Sequence, residues 1–295
     1  MAGRVTQQTI DAADILDLCF RNIGNDELIS FGKQLQHNTM LVTELCLENN
    51  SFGPEGVIAL GLGLQQNTTL RILRLSHNNV GAVGATALGL ALQFNATLTE
   101  LDLDHTAIGN SGASALGEGL QLNSALMKLN LSSNHIGFAG ASALGRTLQH
   151  NTTLESLILF DNNIGYVGAT ALAEGLAGNT TLWSLCLFIT NIGEIGMTAF
   201  QAAMQNNTTI QRLILQEDRN PSIENCIARN NTLHMNQYWS PCLHIGFMCP
   251  CHEMIMTTLL CNRSTGNYPA LPDHVWHLIF SFWMRNQFPS CSLAK

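Results

Sequence analysis

Seven strand-like openings, at Val42, Leu70, Leu98, Leu126, Leu154, Leu182 and Ile210, stand 28 residues apart along the chain. A unit of that length cannot bury its own apolar face, so a strict period makes the chain a stack of like units and puts function on a surface rather than in a pocket. Counting from Leu154 as position 0, Leu157 and Leu159 fall at +3 and +5, Asn162 at +8, Ile164 at +10 and Gly165 at +11. The alternation at +3 and +5 is that of a strand with inward leucines. Beyond Gly165 the spacing becomes helical, because Gly168, Ala171, Leu172, Gly175 and Leu176 share one face. The small residues on that face let neighbouring helices approach closely, and the Gly178-Asn179 pair supplies a helix stop.

The unit LxxLxLxxN, followed by an Ile-Gly turn and an Ala/Leu/Gly helix, resembles the ribonuclease-inhibitor-like leucine-rich repeats over residues 13–235. The resemblance implies an α/β solenoid, a horseshoe of about eight strand-helix repeats with a helical C-terminal cap. Strands lie about 4.8 Å apart and packed helices about 8 to 10 Å, so the stack bends with its strands on the concave side. Asn50, Asn78, Asn134 and Asn162 are placed to satisfy turn backbone, with Thr106, Thr190 and Asp218 standing in for Asn in three repeats. Residues 1–12 form a lead. A degenerate unit built on Ala13, Leu16, Leu18, Ile23 and Gly24, with a polar helix from about Asn25, reads as the N-terminal cap. Pro221 opens a capping helix with Ile223 and Ile227 facing inward.

With 46% hydrophobic and 12% charged residues the chain has ample apolar surface for one buried core, and no apolar run reaches membrane-spanning length. A net charge of −8 argues against nucleic acid as a partner. The N-terminal segment lacks the basic start and apolar core of a secretory signal. Nine cysteines follow no disulfide spacing, and Cys46 and Cys186 sit on separated strands, so the expected setting is a reducing cytoplasm. The Asn-x-Ser/Thr matches at Asn67, Asn95, Asn151 and Asn179 belong to the repeat consensus rather than to glycosylation. No GxxxxGK[ST] loop occurs, no cofactor is called for, and a monomer is expected.

If +3 and +5 point inward, +2, +4, +6 and +7 form the array on the concave face. In the N-terminal half this array is mainly acidic, with Glu100, Asp102 and Asp104 on one strand. The C-terminal half carries an apolar stripe. Phe160 and Phe188 share +6 on adjacent repeats, Ile158, Cys186 and Ile214 align at +4, and Ile189 lies at +7. A contiguous apolar patch with aromatic anchors marks an interaction site, so a partner protein is expected there, steered by the acidic repeats. The competing reading is that the C-terminal residues fold over the stripe and make it internal packing. The carboxylates could also serve paired-acid or calcium chemistry, but a flat sheet excludes no water, and a solvated acidic face is the simpler account. His77 and His105 share +7 without a third metal ligand in register.

From residue 236 to 295 the period is lost and a second region begins, with Trp239, Trp276 and Trp283 and a concentration of cysteines. Cys242, His244, Cys249, Cys251 and His252 are zinc-ligand types in a spacing that matches no common finger, and small helical cores bury cysteine as well. Downstream, Leu271, Pro272, Val275, Ile279, Phe280 and Phe282 resemble the opening helix of an F-box. That resemblance implies recruitment of a ubiquitin-ligase scaffold, with the repeats presenting a substrate; the alternative is an amphipathic helix that seals the solenoid. The combination of near-consensus repeats and a short eukaryotic-like appendix is also similar to type IV secreted effectors of intracellular bacteria, with Leu293 as the hydrophobic residue near the end. That likeness implies action in host cytosol. An endogenous eukaryotic scaffold is the alternative. Ran-directed GTPase activators share the repeat family, and the catalytic Asn or Arg they would need has only Asn49 and Arg74 as candidates on the N-terminal concave strands.

Overall fold

The structure, a computed structural model, describes residues 14–37, 42–215 and 220–235. Strands and helices alternate along it: β1 (Ile15–Asp17), α1 (Asn25–Gln36), β2 (Glu44–Cys46), α2 (Pro54–Leu64), β3 (Ile72–Arg74), α3 (Gly81–Leu92), β4 (Glu100–Asp102), α4 (Gly109–Leu122), β5 (Lys128–Asn130), α5 (Phe138–His150), β6 (Ser156–Ile158), α6 (Gly165–Ala177), β7 (Ser184–Cys186), α7 (Gly193–Asn206), β8 (Arg212–Ile214) and α8 (Pro221–Met235). The strands form one parallel sheet in chain order, β1 to β8. Each strand pairs with the next without slippage, so that Leu101 lies opposite Leu129 and Leu129 opposite Leu157. This is the leucine-rich-repeat solenoid expected, and its register follows from the period. A one-residue slip would turn every inward leucine to the solvent face.

The core is a column of leucines. Those at +3 and +5, such as Leu101, Leu103, Leu129 and Leu131, are buried, as are the helix residues Leu60, Leu88, Leu116, Leu144 and Leu172 that face them. Fully burying one such side chain contributes about 1.5–3 kcal/mol, and repetition along the stack supplies the stability that a single unit lacks.

Two ladders of asparagine hold the turns. At +8, Asn162 Nδ2 donates to the Leu131 and Leu159 carbonyls, while its Oδ1 accepts the N–H groups of Asn134 and Ile136 in the preceding unit. Thr190 donates its hydroxyl to the Leu187 carbonyl of its own unit. The second ladder lies three residues before each strand-start position. Asn95, a representative member, accepts the N–H groups of Thr97 and Leu98 and donates to the Leu64 and Asn67 carbonyls. Asn67, Asn123, Asn151, Asn179 and Asn207 repeat the arrangement, all buried. All of these but Asn123 are asparagines of Asn-x-Ser/Thr matches, and in the folded chain their amides are engaged in structure.

The helix layer carries a longer rhythm than the sheet. At +21 the residue is Gly63 in α2, Gly119 in α4 and Gly175 in α6, where an added Cβ would lie 2.1–2.2 Å from the carbonyl oxygens of Gly32, Gly89 and Gly145 on the preceding helices. The intervening helices place Ala91, Thr147 and Ala203 at that position. The helices therefore interlock as α1 with α2, α3 with α4 and α5 with α6, backbone against backbone within each pair.

Both ends are closed by their own chemistry. At the start, Glu27 accepts the Gly24 N–H, the half of a capping box that a glycine N-cap allows for α1. At the other end, Ile223 of α8 is buried and Ile227 is packed against the core, as expected. Arg229 donates to the carbonyls of Met204, Gln205 and Asn207, and Asn230 to those of Asn207 and Ile210. Arg229 thus meets carbonyls at the C-terminal end of α7, and Asn230 those of the turn that follows it.

Candidate functional site

The concave face is read as columns, because in-register pairing sets equivalent positions side by side. The +4 column runs Cys46, Arg74, Asp102, Asn130, Ile158, Cys186, Ile214, and the +6 column Glu48, Ser76, Asp104, Ser132, Phe160, Phe188. The phenyl rings of Phe160 and Phe188 stack with centroids 6.2 Å apart and planes within 7°. Both are half-buried, and Ile189 beside them is 40% exposed.

Three residues expected to project from this face do not. Ile158, Cys186 and Asp104 are 7%, 3% and 8% exposed. Cys46 and Asn130, at +4 on other strands, are buried in the same way. Side chains in a column stand one strand spacing apart, about 4.8 Å, and at +4 each is walled in by its neighbours on either side. Ile158 and Cys186 are therefore the floor of the stripe, and its accessible part is Phe160, Phe188 and Ile189, with Ile214 half-buried at its edge.

Ile189 also has a backbone unlike its chemistry. The +7 position is left-handed in the six units from Asn49 on, with Asn49, His77, His105, Ser133, Asp161 and Ile189 all at φ between 51° and 56°, as it is at Phe20 in the N-terminal unit. Asn, Asp and His tolerate this region, whereas a β-branched side chain there is strained by about 1–2 kcal/mol.

The acidic half is partly neutralised. Glu100 pairs with Lys128 at 2.5 Å, directly across the β4–β5 register. Glu44 pairs with Arg74, whose guanidinium also donates to Cys46 Sγ at 3.2 Å. The Arg74 guanidinium, one of the two candidates for GTPase activation, is thus engaged within the sheet. Asp104 lies 3.8 Å from His77, and the His77 and His105 rings pack at 5.0 Å. Glu48 and Asp102 carry no ion pair among the described residues. Burial is the main cause that pushes the Asp102 carboxyl up to about 7, reinforced by the charges of Asp104 and Glu48 and opposed by the Asp104 N–H and the Ser76 hydroxyl. Burial raises Glu48 as well.

A raised carboxyl binds a proton more tightly in the folded than in the unfolded chain, so its cost to stability grows as pH rises from about 4 through 7. The shift caps that cost at about 4 kcal/mol, and the solvent-facing side of the carboxylate lowers it to about 2. Asp102→Asn is therefore expected to raise the denaturant midpoint at pH 8 and to do so much less at pH 5. An equal gain at both pH values would dismiss this account.

Among the described residues no group of three His, Cys, Asp or Glu could hold a metal ion, and Cys19, Cys46, Cys186 and Cys226 are free thiols. Burial pushes Cys19 up to about 11 and Cys46 up to about 12, leaving both protonated and poorly nucleophilic. Cys242, His244, Cys249, Cys251, His252 and the helix candidates Leu271, Pro272, Val275, Ile279, Phe280 and Phe282 lie outside the described residues. No helix among the described residues is long and apolar enough to cross a membrane.

Two grooves flank the sheet that column-by-column reading missed. One, of about 610 Å³, runs along the ends of β4 to β7 between His105, Ser133, Asp161 and Ile189 and the exposed Phe138. The other, of about 530 Å³, follows the strand starts, where the Trp183 indole N–H donates to Glu155 among paired threonines. The +1 column Met127, Glu155, Trp183, Gln211 was the available signal.

Repeat, register and ladders together define a leucine-rich-repeat solenoid. The Leucine Rich repeat family model matches residues 66–89, 94–117, 122–145 and 150–173 in tandem. Among solved structures, the chain is similar to the tropomodulin C-terminal domain of Caenorhabditis elegans, at 13% identity over 43% of this chain and 80% of that one, with a TM-score of 0.40. It is also similar to actin-binding site 2 of leiomodin-1, at 17% identity over 72% and 91% of the two chains, with a TM-score of 0.32. No curated protein sequence matches it.

Proposed function

We propose that the chain is a protein-interaction module that takes a partner protein on the C-terminal half of its concave face. The observation that carries this reading is the stacked Phe160–Phe188 pair bordered by an exposed Ile189 held in a strained backbone. Aromatic rings fixed by stacking bind at low entropic cost, and strain retained where Asn or Gly would relieve it points to a use for the side chain. Asp102 and Asp104, with Glu48 beside them, set the local sign of the approach path, while Glu100 is held by Lys128.

The test is recovery of partners from eukaryotic cytosol by wild type and by a Phe160→Asp, Phe188→Asp variant. Loss of a partner with unchanged far-UV spectrum and melting is the expected result, and loss of folding would favour internal packing. Ile189→Asn separates the two further: it should leave folding intact, because Asn tolerates the left-handed region, while weakening binding. Full binding by that variant removes Ile189 from the contact.

We propose further that residues 236–295 act as a separate C-terminal region and that the setting is cytosolic, within a host cell for a type IV effector. Recruitment of a ubiquitin ligase through residues 271–282 is tested by co-purification with a Skp-type adaptor, GTPase activation through Asn49 or Arg74 by acceleration of GTP hydrolysis, and zinc by metal analysis of the purified protein.

A further inference from the structure

The stripe and the acidic strands are separated by a short, nearly featureless interval, and that interval sets the spacing of whatever binds both. On β5 and the turn after it the face offers Asn130 and Ser132, both buried, and the half-buried Ser133, with Lys128 turned to Glu100. Across this saddle, Asp102 on β4 lies two strands from Phe160 and three from Phe188, which at about 4.8 Å per strand is roughly 10–14 Å.

The occupant must also arrive with its own backbone satisfied. Strands β2 to β7 are each paired on both sides, so no strand edge is open at the stripe or at the acidic patch for an extended segment to join. A segment lying across the columns meets side chains only. A helix satisfies its own N–H and C=O groups and can place one face against them. At 1.5 Å per residue, 10–14 Å corresponds to roughly seven to nine residues, or about two turns. The charge requirement is equally specific. Glu44 and Glu100 are neutralised by Arg74 and Lys128, whereas Glu48 and Asp102 lie on the concave face without an ion pair among the described residues.

Resting on the proposed concave-face reading, we infer that the partner presents an amphipathic helix. An apolar pair of that helix covers Phe160, Phe188 and Ile189, and a Lys or Arg about two turns away on the same face reaches Asp102, with Glu48 two strands beyond it. The cation favours the ionised carboxylate, so binding strengthens from pH 6 to pH 8. The other charged groups that face this patch are His77 and His105, whose rings pack together with Asp104 beside His77, and Arg74 and Lys128, which are paired with Glu44 and Glu100.

The probe is a stapled helical peptide on an Ala/Gln background with Leu at i and i+4 and Arg at i+7 and i+11, titrated calorimetrically into the full chain. The control has the same composition with both Arg moved to the opposite face, at i+5 and i+9. The expected result is about tenfold tighter binding of the first peptide at low salt, a preference lost in Asp102→Asn and at pH 6. Equal affinity for the two peptides, or no binding of either, overturns the helix inference. If the Phe160→Asp, Phe188→Asp variant still loses its cellular partner, the concave reading survives that failure. If the first peptide binds the double variant as well as wild type, both fall.

Discussion

Asn134→Ala is expected to destabilise the solenoid by about 3–5 kcal/mol, out of proportion to the few atoms removed. Asn134 is fully buried, and its Oδ1 accepts the N–H groups of Thr106 at 3.1 Å and Ile108 at 3.2 Å. Its Nδ2 donates to the Leu103 and Ser132 carbonyls at 2.6 and 2.8 Å. The carbonyls keep other donors, since Leu103 also receives the Thr106 hydroxyl and Ser132 the His105 N–H. The two amides do not, and each buried N–H left without an acceptor costs about 1–3 kcal/mol. The lost bonds join two units, so the damage falls on the interface between them and not on one turn. Equilibrium denaturation measures it directly, and a loss below about 1 kcal/mol would mean that water replaces the amide.

Gly119→Ala should cost about 3 kcal/mol or more, although helix propensity alone favours alanine by about 1. The new methyl would sit 2.2 Å from the Gly89 carbonyl oxygen and 2.9 Å from its carbon, and backbone cannot turn aside as a side chain can. Relief requires α3 and α4 to separate, which opens the leucine core beneath them. Two controls bracket the effect. At Gly117 the nearest atom is the Thr147 hydroxyl at 2.7 Å, the end of a side chain that can rotate, and at Gly178 nothing lies within 4 Å. Gly178→Ala should be close to neutral and Gly117→Ala intermediate. A ranking by helix propensity, with all three stabilised, would show that the close approach is not what glycine is there for.

The fold was legible because a 28-residue period leaves few alternatives, and the +3 and +5 leucines set both strand and register. The N-terminal unit was legible despite its degeneracy, since Leu16 and Leu18 repeat the inward pair. The site was less so. Sequence places Ile158 and Cys186 on the concave side but does not say that neighbours in their column close over them. The Glu100–Lys128 pair could have been seen, because both are +2 residues of adjacent units. The strain at Ile189 was also visible in principle: five consecutive +7 residues are Asn, His, His, Ser and Asp, and the sixth is Ile. The asparagine ladder before each strand was read as consensus without a role, because its partners lie on the preceding helix and no local spacing reveals them.

The paired helices give the array a grain that its sheet does not have. In a nearest-neighbour description of a linear array, the coupling between units would be uniform if every helix met the next in the same way. Here strong and weak couplings alternate, with backbone interlocked at α1–α2, α3–α4 and α5–α6 and looser seams between. The elementary step of loss or growth is then a block of two units rather than one. Such a chain frays from its ends in blocks, and its most readily opened planes are the α2–α3, α4–α5 and α6–α7 seams. The acidic patch is shared between two blocks, while the stacked Phe160 and Phe188 straddle the seam between α6 and α7. A partner spanning both rings would act as a clasp across a weak plane, so that occupancy of the face and cohesion of the array become one thermodynamic quantity.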